Sequence, residues 1–262
     1  EKLGEPDRAI ETWKAVLDLR GEDPEALASL ASLYEGKEAW RDLTDVLERQ
    51  TDIAASDDDR VNILTHRAHL FTEKMQRDDL ALSDWNRVLD IDHANLAALR
   101  AVAAIRRREA DSNELVSALH QIVDRASSLL DETELKEIFR ELGKTYGEKL
   151  EQPFDAADAW RRLLEVGADF EALDALEAIY QKEERVVDVI DVKMQRAAAL
   201  EEADAKIAEL TAVAALWTDQ AGEPDKATLA WQKILEVDAA HDQAFVELEK
   251  LHTAAERWEA LI

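Results

Sequence analysis

The sequence predicts an all-α fold built as a repeat array of helix pairs, and three observations carry that prediction. The first is a frame that recurs four times: Ala9, Trp13 and Leu17; Ala81, Trp85 and Leu89; Ala156, Trp160 and Leu164; Ala227, Trp231 and Leu235. The tryptophans stand 72, 75 and 71 residues apart, and recurrence at so steady an interval marks stacked supersecondary units. Second, the three residues of each copy are four apart, so they share one stripe of a helix and set a small and a large side chain against a neighbour. Third, the 262 residues are 47% hydrophobic and 35% charged, with 7 Gly and 4 Pro, which suits amphipathic helices joined by short turns. The one dense β-branched run, residues 185–190, falls in step with the repeat and reads as helix.

Taken in order, each period holds four helices. The helix carrying Trp13 starts at Pro6; Pro153 and Pro224 keep that offset, and Asp78 takes it in the other copy. Proline suits the first helical turn, where its missing N–H leaves no bond unmade, and aspartate suits the positive end of the helix. A second helix carries Leu27, Leu30, Leu33 and Tyr34, echoed by Leu99, Val102 and Ile105, by Leu173, Leu176, Ile179 and Tyr180, and by Phe245, Leu248 and Leu251. A third begins near Trp40, with counterparts at Val116, Val187 and Trp258. The fourth opens after Ser56 to Asp59 or Asp131 to Glu134, both spaced as capping boxes, the first with Asp where Glu or Gln is usual. Residues 51–59 and 126–133 are the longest expected turns. Glu1 and Lys2 match the tail of a helix, and 255–262 match the start of another, so residues 1–262 read as one array of about seven helix pairs, incomplete at both ends.

Charge narrows the function classes. Asp and Glu number 59 against 32 Lys and Arg, a formal charge of −27. Affinity for nucleic acid comes largely from neutralising phosphates with Lys and Arg, so nucleic acid and anionic membranes are poor partners for such a surface. The absence of cysteine excludes disulfides, thiolate metal sites and cysteine nucleophiles. No apolar run reaches the roughly 18 residues that a membrane span needs, and the chain opens on no signal-peptide pattern. Neither fixes the compartment. The abundance of Ala, Asp and Arg over Lys fits a GC-rich bacterial source.

The repeat resembles the tetratricopeptide repeat over the whole chain. That family's first helix carries a large residue, a leucine, a small residue and an aromatic. Phe139, Leu142, Gly143 and Tyr146 fit fully; Leu27, Leu30, Ala31 and Tyr34 fit as well, and Leu64, Ala68, Phe71 and Leu210, Ala214, Trp217 fit in part. Its second helix sets an aromatic four residues after a small one, as Ala81/Trp85 and its counterparts do. Alternate repeats depart: Leu43, Leu119 and Ile190 are expected where the small residue should stand. The resemblance implies a right-handed α–α superhelix, or solenoid, of helix pairs.

It also implies a protein-binding scaffold, with the first helix of each pair lining a groove. Carrying over the family's exposed positions places Arg100, Arg107, Arg108, Arg140 and Lys144 on neighbouring first helices. Against −27 overall they are a local reversal of sign, suited to an acidic segment or a C-terminal carboxylate. The plainer alternative pairs them with nearby carboxylates as solvated charges. The rival from another class is a structural spacer or self-assembly segment with equivalent units.

Other chemistry finds little support. His66, His69 and Glu73 could share a helix face, but nothing else offers a further metal ligand, so polar surface or groove histidines are the better reading and no metal is assigned. There is no phosphate-binding glycine loop, Gly-x-Ser-x-Gly elbow or His-Glu-x-x-His, so no catalytic residue or cofactor is assigned. Trp13, Trp85, Trp160, Trp217 and Trp231 occupy repeat positions that the fold should bury, which explains them better than a sugar platform does.

Overall fold

The computed structural model describes residues 6–254, whose regular structure is helical throughout. The chain divides into two compact units, Glu1–Leu130 and Asp131–Ile262. The first holds α1 (Pro6–Arg20), α2 (Pro24–Gly36), α3 (Trp40–Ile53), α4 (Asp57–Glu73), α5 (Asp78–Ile91), α6 (Leu96–Arg108) and α7 (Ser112–Ala126). The second holds α8 (Glu132–Lys144), α9 (Pro153–Val166), α10 (Phe170–Lys182), α11 (Val186–Ala199), α12 (Ala203–Asp219), α13 (Pro224–Val237) and α14 (Asp242–Ala254). Helices α9 and α13 begin on Pro153 and Pro224 and α5 on Asp78, as the spacing predicts; Pro6 is the first described residue.

One turn is repeated in all six complete pairs among the described residues. Glu38, Gln76, Ala110, Glu151, Glu184 and Gly222 each adopt a left-handed backbone, with φ between 53 and 68°, two residues before the second helix opens. In five of the six, the N–H that follows donates back to the carbonyl of the first helix's aromatic residue: Ala39 to Tyr34, Arg77 to Phe71, Gln152 to Tyr146, Arg185 to Tyr180 and Glu223 to Trp217, all at 2.8–2.9 Å. This is a helix C-cap of the left-handed kind, satisfying a carbonyl that the helix end would leave bare.

The turn fixes a register that corrects the sequence reading. Ala81, Ala156 and Ala227 each stand five residues after the left-handed residue, and Leu43, Leu115 and Val189 take that position in the alternate pairs. Leu119 instead holds the position of the tryptophans, and Ile190 lies one residue further along than expected. Likewise Trp40, the first residue of α3, is matched by Ser112 and Val186, not by Val116 and Val187. A slip of four residues is about one helical turn, which leaves an apolar stripe almost unchanged. The Trp258 counterpart and the readings on Glu1, Lys2 and 255–262 lie outside the described residues.

The helix starts are specified locally. Asp23, Asn95, Asp111 and Asp169 each accept from the backbone N–H three residues on. Asp131 and Glu134 form the reciprocal capping box. Ser56 caps α4 through the Asp59 N–H, but its hydroxyl donates to the Asp59 carboxylate at 2.7 Å, so the return bond of a capping box is not made.

Each unit has an apolar core. Leu27, Leu30, Leu43 and Leu47 anchor one cluster in the first unit, with Trp13 and Trp40 packed on its margin. Leu210, Val213, Ala214, Trp231 and Ile234 anchor another in the second, with Trp217 on its margin. Trp85, Trp160 and Trp231 are buried, whereas Trp13 and Trp217 are half-buried, short of the burial expected for them. Gly143 shows how close the contact is: a Cβ there would lie 2.5 Å from Cε2 of Trp160.

Candidate functional site

The five predicted cations fall on two first helices. Arg100, Arg107 and Arg108 lie on α6 in the first unit, and Arg140 and Lys144 on α8 in the second. The Arg108 guanidinium donates to both oxygens of Asp78, at 2.8 and 3.0 Å. Arg140 donates from Nε to Glu171 at 2.8 Å and from Nη2 to Asp169 at 2.6 Å, and the Lys144 ammonium lies 2.6 Å from Glu171. Arg100 and Arg107 are engaged as well. The Lys144 hydrogen bond holds the Glu171 carboxyl below its ordinary pKa; burial opposes it, and the charge of Lys144 with the hydrogen bond and charge of Arg140 add to the lowering. Asp169 does double duty, since its other oxygen caps α10. Glu171 is thus a carboxylate seated between two cations one helical turn apart.

The histidines do not converge. His66 faces Glu35 at 3.8 Å, while His69 lies 3.4 Å from Glu73 and meets the Trp85 ring edge-on at 5.2 Å. Among the described residues no three His, Asp or Glu side chains are grouped to hold a metal ion.

Sequence reasoning missed two charged clusters set into the core. The residue before the small position of the first helix is Leu30, Val102, Leu142, Leu176 or Val213 in five pairs; in the α4/α5 pair it is Arg67. Its partner is Asp84, fully buried, which stands where the other pairs place Val46, Ala118, Ala159, Val192 and Ala230. Arg67 Nε donates to Asp84 at 2.6 Å, another of its nitrogens reaches Glu48 of α3, and Arg87 closes the cluster on Glu48 at 2.9 Å. A signal was present, because Arg67 sits between Leu64 and Ala68 on the apolar stripe.

The second cluster joins α10, α11 and α12. The small position holds Ala31, Ala68, Ala103, Gly143 and Ala214 in five pairs and Glu177 in the α10/α11 pair; the large position holds Leu47, Trp85, Leu119, Trp160 and Trp231, but here Lys193. Arg196, one turn on, replaces Val88, Ile122, Leu163 and Ile234. The Lys193 ammonium lies 2.8 Å from Glu177 and 3.3 Å from Glu209 of α12, and Arg196 reaches Glu177, Glu209 and Asp174. Burial would raise the Glu177 pKa, yet the hydrogen bonds from Lys193 and Arg196 prevail and hold it low. Arg196 is correspondingly raised: burial opposes, and Glu177 and Glu209 outweigh it.

Both clusters border cavities. One of about 590 Å³ is lined in the first unit by Glu48, Arg67, Phe71 and Asp84 among others. In the second unit a cavity of about 770 Å³ opens between α10, α11 and α12, with Lys193 in its wall.

The helix hairpins, with a small residue against a large one and a turn closed on the aromatic carbonyl, give the chain a tetratricopeptide-like repeat fold. No family model and no curated protein matches the sequence. Solved structures do match. The C-terminal part of a tetratricopeptide-repeat protein from Cytophaga hutchinsonii is 16% identical, over 93% of this chain and 95% of that one, with a TM-score of 0.38. YrrB, described as a tetratricopeptide-repeat protein with an unusual peptide-binding site, is 18% identical over 67% of this chain and 84% of its own, at 0.39. A tetratricopeptide-repeat protein from Parabacteroides merdae is 14% identical over 95% and 93%, at 0.38. Among the described residues no helix is long and apolar enough to cross a membrane.

Proposed function

We propose that this chain is a non-catalytic scaffold whose helix pairs form one array and bind a protein or peptide segment carrying acidic side chains. The observation that supports the reading is the seat of Glu171: two cations on one face of α8 hold a carboxylate that belongs to the neighbouring first helix. These side chains are only partly buried, with Arg140 29% and Lys144 46% exposed, so an incoming carboxylate has access to both. Arg100, Arg107 and Arg108 offer the same chemistry in the first unit. A partner's acidic residue would take the place of an internal one, an exchange that sets modest affinity and strong salt dependence. The spacer reading expects equivalent units, and Arg67/Asp84 and Glu177/Lys193 make two pairs unlike the rest.

The test is titration of a fluorescent glutamate-rich peptide at low and high salt. Glu171→Gln, which removes the internal competitor, should tighten binding, and Arg140→Glu with Lys144→Glu should abolish it. Equal affinity in all three proteins, or none in the unaltered chain, would sink the acidic-segment reading.

A further inference from the structure

We infer that the trough between α10, α11 and α12 docks an extended partner segment bearing an aliphatic side chain next to a lysine or arginine. This site is distinct from the Arg140/Lys144 seat and asks for a ligand of the opposite sign.

The space follows from the broken frame. Where three other pairs fill the contact between helices with tryptophan, Lys193 extends its ammonium to Glu177 and Glu209, and its stem lines the cavity without filling it. Across from it α12 presents Ala212 and Ala215. The resulting space of about 770 Å³ has an apolar floor of Tyr180, Val186, Val189 and Leu216. A preformed concave site with apolar walls and a few polar groups at its edge is what side-chain recognition needs.

The rim sets the sign. Arg185 donates to Asp188 at 2.7 and 3.0 Å and stacks 5.0 Å over the Tyr180 ring, so its charge is satisfied within the protein. Lys193 faces two carboxylates. Glu184 and Asp219, both exposed on the rim, have no cationic partner among the described residues. The uncompensated charge at the cavity is therefore negative, on a chain that is itself at −27. A cation is drawn to it and an anion repelled.

The length of the trough points to a chain segment. A second cavity of about 410 Å³ shares Glu184, Arg185 and Val186 with the first and runs on past Val187 to Trp217 and Lys226. Val187 is an exposed aliphatic residue at its edge. Two sockets on either side of one turn suit successive side chains of an extended segment, since alternate residues of such a segment project the same way.

The experiment is selection from a random-dodecapeptide display library on the intact chain, followed by titration of the enriched peptides. Because the chain has no cysteine, Gln220→Cys gives a unique site for an environment-sensitive dye at the rim. Enriched sequences should pair Leu, Ile, Val or Met with Lys or Arg and change the dye's emission. Binding should weaken about tenfold in Ala215→Trp, which fills the trough. Glu184→Gln with Asp219→Asn, two exposed changes that spare the core, should weaken binding and flatten its salt dependence. No enrichment, or basic-aliphatic peptides indifferent to both variants, would overturn the inference. Enrichment of acidic peptides that depend on Arg140 would overturn it too, while supporting the proposed function.

Discussion

The Lys193 ammonium lies 2.8 Å from the Glu177 carboxylate at the two positions where the neighbouring α8/α9 pair presses Trp160 against Gly143. One slot in the repeat therefore accepts an ion pair in one hairpin and an aromatic ring on bare backbone in another. Both close the gap between first and second helix, by unlike physics. Removing one member of a buried ion pair leaves the other charge desolvated, whereas replacing both by packed apolar residues is often neutral or better.

That asymmetry gives the first prediction. Glu177→Ala should lower stability by about 3 kcal/mol, the low end for a broken buried pair, because these side chains keep some contact with water. Glu177→Ala with Lys193→Trp, which restores the residue types of the α12/α13 pair, should recover most of the loss, with Glu209 still held by Arg196. Urea unfolding measures both, and a double variant as weak as the single one would refute the equivalence of the two slots.

Gly143 gives the second. A methyl group there would lie 2.5–2.8 Å from three atoms of the Trp160 indole, a rigid ring with core behind it. Gly143→Ala should cost about 1–3 kcal/mol through overpacking, despite the gain in helix propensity. Alanine faces tryptophan in two other pairs, at Ala68 with Trp85 and Ala214 with Trp231, and leucine in two, at Ala31 with Leu47 and Ala103 with Leu119, so the clash belongs to the close approach of α8 to this ring, which the smaller leucine would relieve. Gly143→Ala with Trp160→Leu should therefore be more stable than Gly143→Ala alone. Thermal melts decide it, and an unaltered melting temperature for Gly143→Ala would show that the ring withdraws freely.

These two contacts also show what the sequence could and could not convey. The helix pairs were legible because the frame of alanine and tryptophan repeats with the period of a helix and proline or aspartate marks its start. The register of α7 was not: Leu115 and Leu119 are one turn apart, both are apolar, and only the left-handed turn at Ala110 tells them apart. The positions of Arg140 and Lys144 on a first helix followed from the pattern, but their partners Asp169 and Glu171 come from another helix about 30 residues on. Arg67 could be seen on a buried stripe. Asp84 could not be assigned to it, because periodicity places a residue on a face without saying which side chain meets it across the helix pair.

The turns yield a third prediction. Five of the six left-handed positions carry residues with a Cβ, which costs about 1 kcal/mol there relative to glycine. Gly222 has no atom within 4 Å of a would-be Cβ, so Gly222→Ala tests the backbone alone and should destabilise by about 1 kcal/mol. Ala110→Gly should be neutral or slightly stabilising, since the relief of strain is offset by greater freedom of the unfolded chain. A loss at Gly222 with none at Ala110, read by chemical denaturation, is the expected result; a loss at Ala110 equal to that at Gly222 would argue against the shared turn.

Acid should weaken the carboxylates that neighbouring cations hold ionised. Glu177 is held below its ordinary value by Lys193 and Arg196 despite its burial, Glu171 by Lys144 and Arg140, and Asp79 is lowered to about 2 by Arg77. A depressed carboxyl binds protons more readily in the unfolded chain, so its contribution is complete above the unfolded pKa, about 4.3 for glutamate, and is lost as pH falls through the folded value. Asp79 is fully exposed and Glu171 largely so, and salt screens both; Glu177 carries the effect because its partners are shielded from solvent. The melting-temperature difference between the unaltered chain and Glu177→Gln should be greatest above about pH 5 and close progressively as the solution is acidified. A difference that stays constant across that range would mean the glutamine variant is destabilised through packing and hydrogen bonding, with no part played by the charge of Glu177.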